Sequence, residues 1–98
     1  MQGYIDINKT IMYPREERFM KSCKINLDSV EKIRTFVNTI TRFESDFDIV
    51  SGRYTVDAKS IMGIFSLDLS KPLELDIHVA GDGSEEAEIM KAIESYLA

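Results

Sequence analysis

The sequence predicts an α+β domain, an open-faced sandwich in which four antiparallel strands carry helices on one face in the order βαββαβα. Three observations lead there. Residues 19–27 and 73–79 alternate apolar and polar side chains with the period of two that a strand covered on one side requires. Residues 30–40 place apolar side chains at helical spacing. Turn-forming pairs, Ser51 with Gly52 and Gly81 with Gly83, stand where these periods break.

Each element follows from its residues. The first eighteen residues sustain neither period, and Pro14 with Arg15, Glu16, Glu17 and Arg18 makes a polar break, so residues 1–18 read as an extension and 19–98 as the domain. Phe19, Lys21, Cys23, Ile25 and Leu27 form the mostly apolar side of a first strand. Asp28 with Glu31 reads as a capping box opening a helix. Val30, Ile33, Phe36, Val37 and Ile40 line its inner stripe, and it should end near Thr41 or Arg42. Residues 47–50 and 53–56 make a hairpin across Ser51 and Gly52. Residues 60–67 suit two helical turns capped by Ser60, with Ile64 and Leu67 inward. Pro72 ends that stretch. Leu73, Leu75, Ile77 and Val79 then face the core, leaving Glu74, Asp76 and His78 on the wet side of a last strand. Residues 84–97 close the chain as a helix with Glu85, Glu86 and Glu88 in its first turn, a solvated start that complements the dipole.

At 98 residues, 44% hydrophobic and 30% charged, the chain has material for one core and too little for a multidomain enzyme. A net charge of −5 opposes binding to nucleic acid. No run approaches the roughly 18 apolar residues of a membrane span. The lone Cys23 and the lack of a secretory pattern at the N-terminus place the protein in the cytoplasm. His78 is the single histidine, so no histidine metal cluster or proton relay is expected, and no cofactor. Cys23 is expected to be a buried, inert thiol. Gly81 and Gly83 lack the lysine and the glycine spacing of a phosphate loop, and Asp82 beside them would repel an anion.

The stretch VDAKSIMGIFSLDLS, residues 56–70, resembles the segment around the regulatory serine of the HPr family, the histidine phosphocarriers of the bacterial sugar phosphotransferase system. The match centres on KSIMG, residues 59–63, and the shared element order carries it over about four fifths of the chain. The family's other signature is His-Ala-Arg-Pro at the start of the first helix. The ungapped register places Ser29 at the phosphoacceptor histidine and Glu31 at the arginine, with Val30 and Lys32 at the remaining two. What the resemblance implies is therefore a phosphocarrier-family protein, not an enzyme, that has lost histidine phosphotransfer and works by binding other proteins. Asp28 and Glu31 agree with the loss, because each carboxylate near a phosphate dianion costs on the order of 1 kcal/mol even in high dielectric.

The resemblance further implies that Ser60 is the phosphorylation switch, with Lys59 supplying a neighbouring charge and Ile61, Met62 and Phe65 forming a partner patch. Met62 and Phe65 are the better candidates, since two turns of helix cannot bury every apolar side chain. Implied partners are an HPr serine kinase, a transcriptional regulator and phosphotransferase-system enzymes. Asp68 and Pro72 stand where glycine is common in the family. Two alternatives remain open: an active phosphocarrier in sugar uptake with a non-standard acceptor, and an assembly module that pairs residues 1–18 with a sheet edge.

Overall fold

The computed structural model describes residues 19–98, and the extension read from residues 1–18 lies outside the described residues. Strand β1 (Phe19–Ile25) leads into helix α1 (Val30–Thr41), then β2 (Asp46–Ser51), β3 (Tyr54–Asp57), α2 (Ile61–Phe65), β4 (Leu73–Val79) and α3 (Glu86–Ala92), followed by a 3-10 turn at Glu94–Tyr96. The sheet runs β1-β4-β2-β3 with every neighbouring pair antiparallel. This is the α+β sandwich the sequence predicts.

Alternation decides which face of the sheet is covered. Leu73, Leu75, Ile77 and Val79 of β4 are buried, and Phe47 and Ile49 of β2 lie beside Ile77 and Leu75 on the same face. Ile33, Phe36 and Ile40 of α1, Ile64 of α2, and Ile89 and Ile93 at the end of the chain complete one continuous core on that side. Each such side chain removed from water contributes about 1.5–3 kcal/mol before the entropy of ordering is subtracted. The opposite face carries Ser22, whose hydroxyl donates to Asp76 at 2.8 Å, and His78, whose Nε2 lies 3.2 Å from an Asp48 carboxylate oxygen. His78 is more covered than its alternation alone predicts, with 17% of its side chain exposed.

Four local expectations need correction. Ser29, not Asp28, caps α1: its backbone is extended and its Oγ accepts the amide of Lys32 at 3.1 Å. Asp28 instead pairs with the Lys32 ammonium at 3.3 Å one turn away, an exposed pair worth little. Val30 begins the helix but is 56% exposed, and the buried stripe of α1 starts only at Ile33. The hairpin loop is Gly52 with Arg53, one residue later than expected. Ser51 stays in the ladder opposite Tyr54, and Gly52, at φ +61°, takes the first loop position, where the twist of the strands demands a positive φ.

The fourth correction concerns the last helix, which the sequence runs to residue 97. It leaves α geometry at Ile93 and tightens into the 3-10 turn. The tighter path presents the chain end to the outer edge of β1, where the Asn26 amide donates to the Tyr96 carbonyl at 2.8 Å and the Ala98 amide to the Lys24 carbonyl at 3.0 Å. Tyr96 is fixed there by an edge-on contact with Phe36, 5.1 Å between ring centroids, and by its hydroxyl donating to Thr35 Oγ1 at 2.9 Å. Leu97 consequently stays 40% exposed instead of joining the apolar stripe. Among the described residues no helix is long and apolar enough to cross a membrane.

Candidate functional site

Two short stretches carry the candidate residues: the opening turn of α1, and α2, which packs against α1 and β3. The first is built by Ser29. Its hydroxyl oxygen and its carbonyl accept the amides of Lys32 and Ile33, so the cap satisfies two donors that the first turn otherwise leaves without partners. Glu31 occupies the first turn with the favourable sign for the dipole. The start of α1 thus presents a hydroxyl already engaged in capping, two carboxylates and the exposed Val30, with no imidazole.

The second stretch is built by Ser60. Its Oγ accepts the Gly63 amide at 3.2 Å and its carbonyl accepts the Ile64 amide at 3.1 Å, so Ser60 is the cap that the sequence predicts. Upstream, Asp57 takes the Lys59 amide on its side chain and the Ser60 amide on its carbonyl, which fixes the entry to α2. Gly63 explains the glycine of the KSIMG motif. A Cβ there would stand 3.3 Å from Val56 Cβ, tighter than nearly all real Cβ contacts, so Val56 would have to give by a few tenths of an ångström. The absent side chain lets α2 settle on β3 while the cap keeps its bond.

Once α2 is seated, its side chains separate by role. Ile64 is buried and Ile61 and Leu67 are packed against the core, whereas Met62 is 75% and Phe65 44% exposed. Of the four partner-patch residues, Met62 and Phe65 therefore face water, Ile61 is half-buried, and Lys59 is turned inward. Its Nζ donates to the Phe43 carbonyl at 2.8 Å and lies 5.6 Å from the Phe47 ring centroid. The charge expected next to Ser60 is thus engaged by Phe43 and Phe47. The lysine stem reaches the Phe43 carbonyl in the turn that follows α1.

Reading by sequence missed a polar knot behind this face. Ser45 is fully buried, and its hydroxyl donates to Glu85 at 2.7 Å while accepting the Ala80 amide at 2.9 Å. The same Glu85 carboxylate accepts the amides of Glu44 at 3.1 Å and Ser45 at 3.0 Å. Glu85 is thus not the solvated charge the sequence implied. Partial burial alone would raise its pKa, but the bonds from Ser45 and Glu44 and the nearby Lys59 charge outweigh that and hold it below the ordinary glutamate value. Partners forty residues apart leave no local signal.

The remaining candidates are unremarkable chemically. Cys23 is half-buried beside the core, and desolvation raises its thiol pKa against a smaller opposing effect of Lys21. His78 lies on the opposite face of the sheet from α1 and α2. Asp82 accepts the Ser84 amide, an ordinary turn contact that lowers its own pKa. Among the described residues no group of three or more His, Cys, Asp or Glu side chains is arranged to hold a metal ion.

Comparison with known proteins shows the family and the fold. Residues 31–98 match the family model described as PTS HPr component phosphorylation site. The fold superposes on a phosphocarrier protein HPr from Bacillus anthracis str. Ames with a TM-score of 0.62 and 28% identity, covering 84% of this chain and 99% of that one. It also superposes on HPr-C-His from Thermoanaerobacter tengcongensis with a TM-score of 0.57 and 30% identity, covering 79% and 88% respectively.

Proposed function

The chain belongs to the HPr family of the phosphotransferase system, and we propose that within it this protein acts as a binding and regulatory member instead of carrying phosphate on histidine. HPr proteins are phosphocarriers that work with other proteins of that system. Here the single histidine, His78, sits in β4, and Ser29 stands at the register position of the acceptor. A phosphate on Ser29 would be an ester, a poor donor compared with a phosphoramidate, and it would remove the cap of α1. Asp28 and Glu31 beside it would oppose a dianion.

Ser60 is the proposed regulatory site. A kinase using ATP would join the Ser60 Oγ to the γ-phosphorus; the bond from that phosphorus to the bridging oxygen of ADP breaks, and the hydroxyl proton passes to a base of the kinase. The modified protein would then engage a transcriptional regulator through the exposed apolar side chains beside Ser60. The observation that carries this reading is the exposure of Met62 and Phe65 on the helix that Ser60 caps. Large apolar side chains left in water next to a charge switch are suited to a partner interface.

The test is incubation with ATP and an HPr serine kinase, followed by intact mass. The full chain is expected to gain one phosphate and Ser60→Ala none. An unmodified chain alongside a fully modified control HPr would remove Ser60 as the switch.

A further inference from the structure

We propose that Lys59 couples the state of Ser60 to the turn between α1 and β2, and that a phosphate on Ser60 acts by drawing Lys59 off that turn. The inference rests on the reading of Ser60 given above. Three consecutive residues, Phe43, Glu44 and Ser45, are held from two sides. From the α2 side Lys59 Nζ donates to the Phe43 carbonyl at 2.8 Å above the Phe47 ring. From the α3 side Glu85 takes the Glu44 and Ser45 amides and the Ser45 hydroxyl, which itself accepts from Ala80 at the end of β4. With Ser45 fully buried, losing one of these bonds while the turn stays closed leaves a polar group without a partner and away from water.

Lys59 is suited to transmit a change at its neighbour because its main chain and its side chain answer to different partners. Its amide is fixed on Asp57 at 2.9 Å, and the Ser60 amide on the Asp57 carbonyl at 3.0 Å, so the backbone between them stays in place. The stem is free to rotate through four bonds. Its ammonium now rests on a neutral carbonyl and an aromatic face, partners that a compact, strongly hydrated cation exchanges readily. An unmodified Ser60 competes weakly, since its oxygen is occupied by the Gly63 amide.

A phosphoserine carries nearly two negative charges and three strong acceptors one residue away, and the competition then favours the phosphate. Departure of Lys59 leaves the Phe43 carbonyl without its donor and takes a positive charge from beside Glu85. Glu85 alone then holds the turn. A partner reading the modified protein would meet a loosened end of α1 as well as a phosphate.

The experiment uses the full chain with phosphoserine encoded at position 60 during synthesis, so that no kinase is involved, and follows amide hydrogen exchange. Glu44, Ser45 and Ala80 are expected to exchange about tenfold faster than in the unmodified chain, as local opening becomes easier. Lys59→Met without phosphate should show the same rise, and phosphoserine should add nothing to it. Unchanged exchange in the phosphoserine chain, no rise in Lys59→Met, or a further rise when phosphoserine is added to Lys59→Met, overturns the proposal. Should Lys59→Met fail to fold, the ammonium resonance of Lys59 in the otherwise native chain decides. It should shift and exchange faster with solvent when Ser60 carries phosphate, and an unmoved resonance overturns the coupling. A kinase that ignores Ser60 would sink the preceding reading while leaving these outcomes intact.

Discussion

Glu85→Ala is expected to lower the free energy of unfolding by about 2 kcal/mol at neutral pH, the value of several charge-assisted bonds reduced for water that reaches a half-buried carboxylate. The loss is large because one side chain serves three donors and the Ser45 hydroxyl is buried behind it. Glu85→Gln keeps an acceptor oxygen and should lose about half as much. The sign with pH follows from the lowered pKa. A carboxyl whose folded value lies below its unfolded value contributes stability that is complete above the ordinary value of 4.5 and fades as pH falls through the folded one. The gap between the native chain and Glu85→Ala in urea unfolding should therefore narrow below pH 4.5. A gap that stays constant into that range would mean the charge of Glu85 is not what holds the turn. Glu74 works in the opposite sense: its hydrogen bond to Asp76, with the charge of that neighbour, raises its pKa.

Phe36→Ala should cost about 4 kcal/mol, the range found when a buried aromatic side chain is truncated and its site cannot collapse. Phe36 is fully buried in the middle of α1 and meets Tyr96 edge-on at 5.1 Å, so its ring joins the early helix to the chain end that pairs with β1. Against the 5–15 kcal/mol that holds a typical domain together, that loss brings the protein close to unfolding at ambient temperature. Phe36→Leu, which preserves most of the volume, should cost about 1.5 kcal/mol. A urea midpoint shift for Phe36→Ala no larger than that for Phe36→Leu would show that the Phe36 contact with Tyr96 is not the joint described.

The elements most readable in the sequence are those whose period is imposed by one-sided burial. β4 is the clearest case, since every second residue must be apolar and each is buried. The Ser60 cap and the outward placement of Met62 and Phe65 were equally legible, although the helix is Ile61–Phe65 and shorter than the two turns expected: Ile64 is its one buried side chain, and Leu67 packs on the core beyond its end. Errors arose where competing local solutions share a signature. Asp28 and Ser29 are both good caps, and the chain takes the serine because its oxygen reaches the Lys32 amide while Asp28 pairs with the Lys32 ammonium. Gly52 was recognised as a turn residue but assigned one place too late in the loop. The inward turn of Lys59 and the knot of Glu85 with Ser45 depend on tertiary neighbours, and neither spacing nor residue type foretells them. The first helix alone shows how far patterning reaches: Ile33, Phe36 and Ile40 were placed correctly, and Val30, on the same stripe, is left in water.

The central claim is that the start of α1 cannot load phosphate for onward transfer. Incubation of the purified chain with phosphoenolpyruvate and the general enzyme of the phosphotransferase system, followed by intact mass before and after mild acid, tests it directly. No acid-labile phosphate is expected, while a control HPr run in parallel should gain one. An acid-labile adduct on this chain, competent to pass its phosphate to a sugar permease component, would contradict the account.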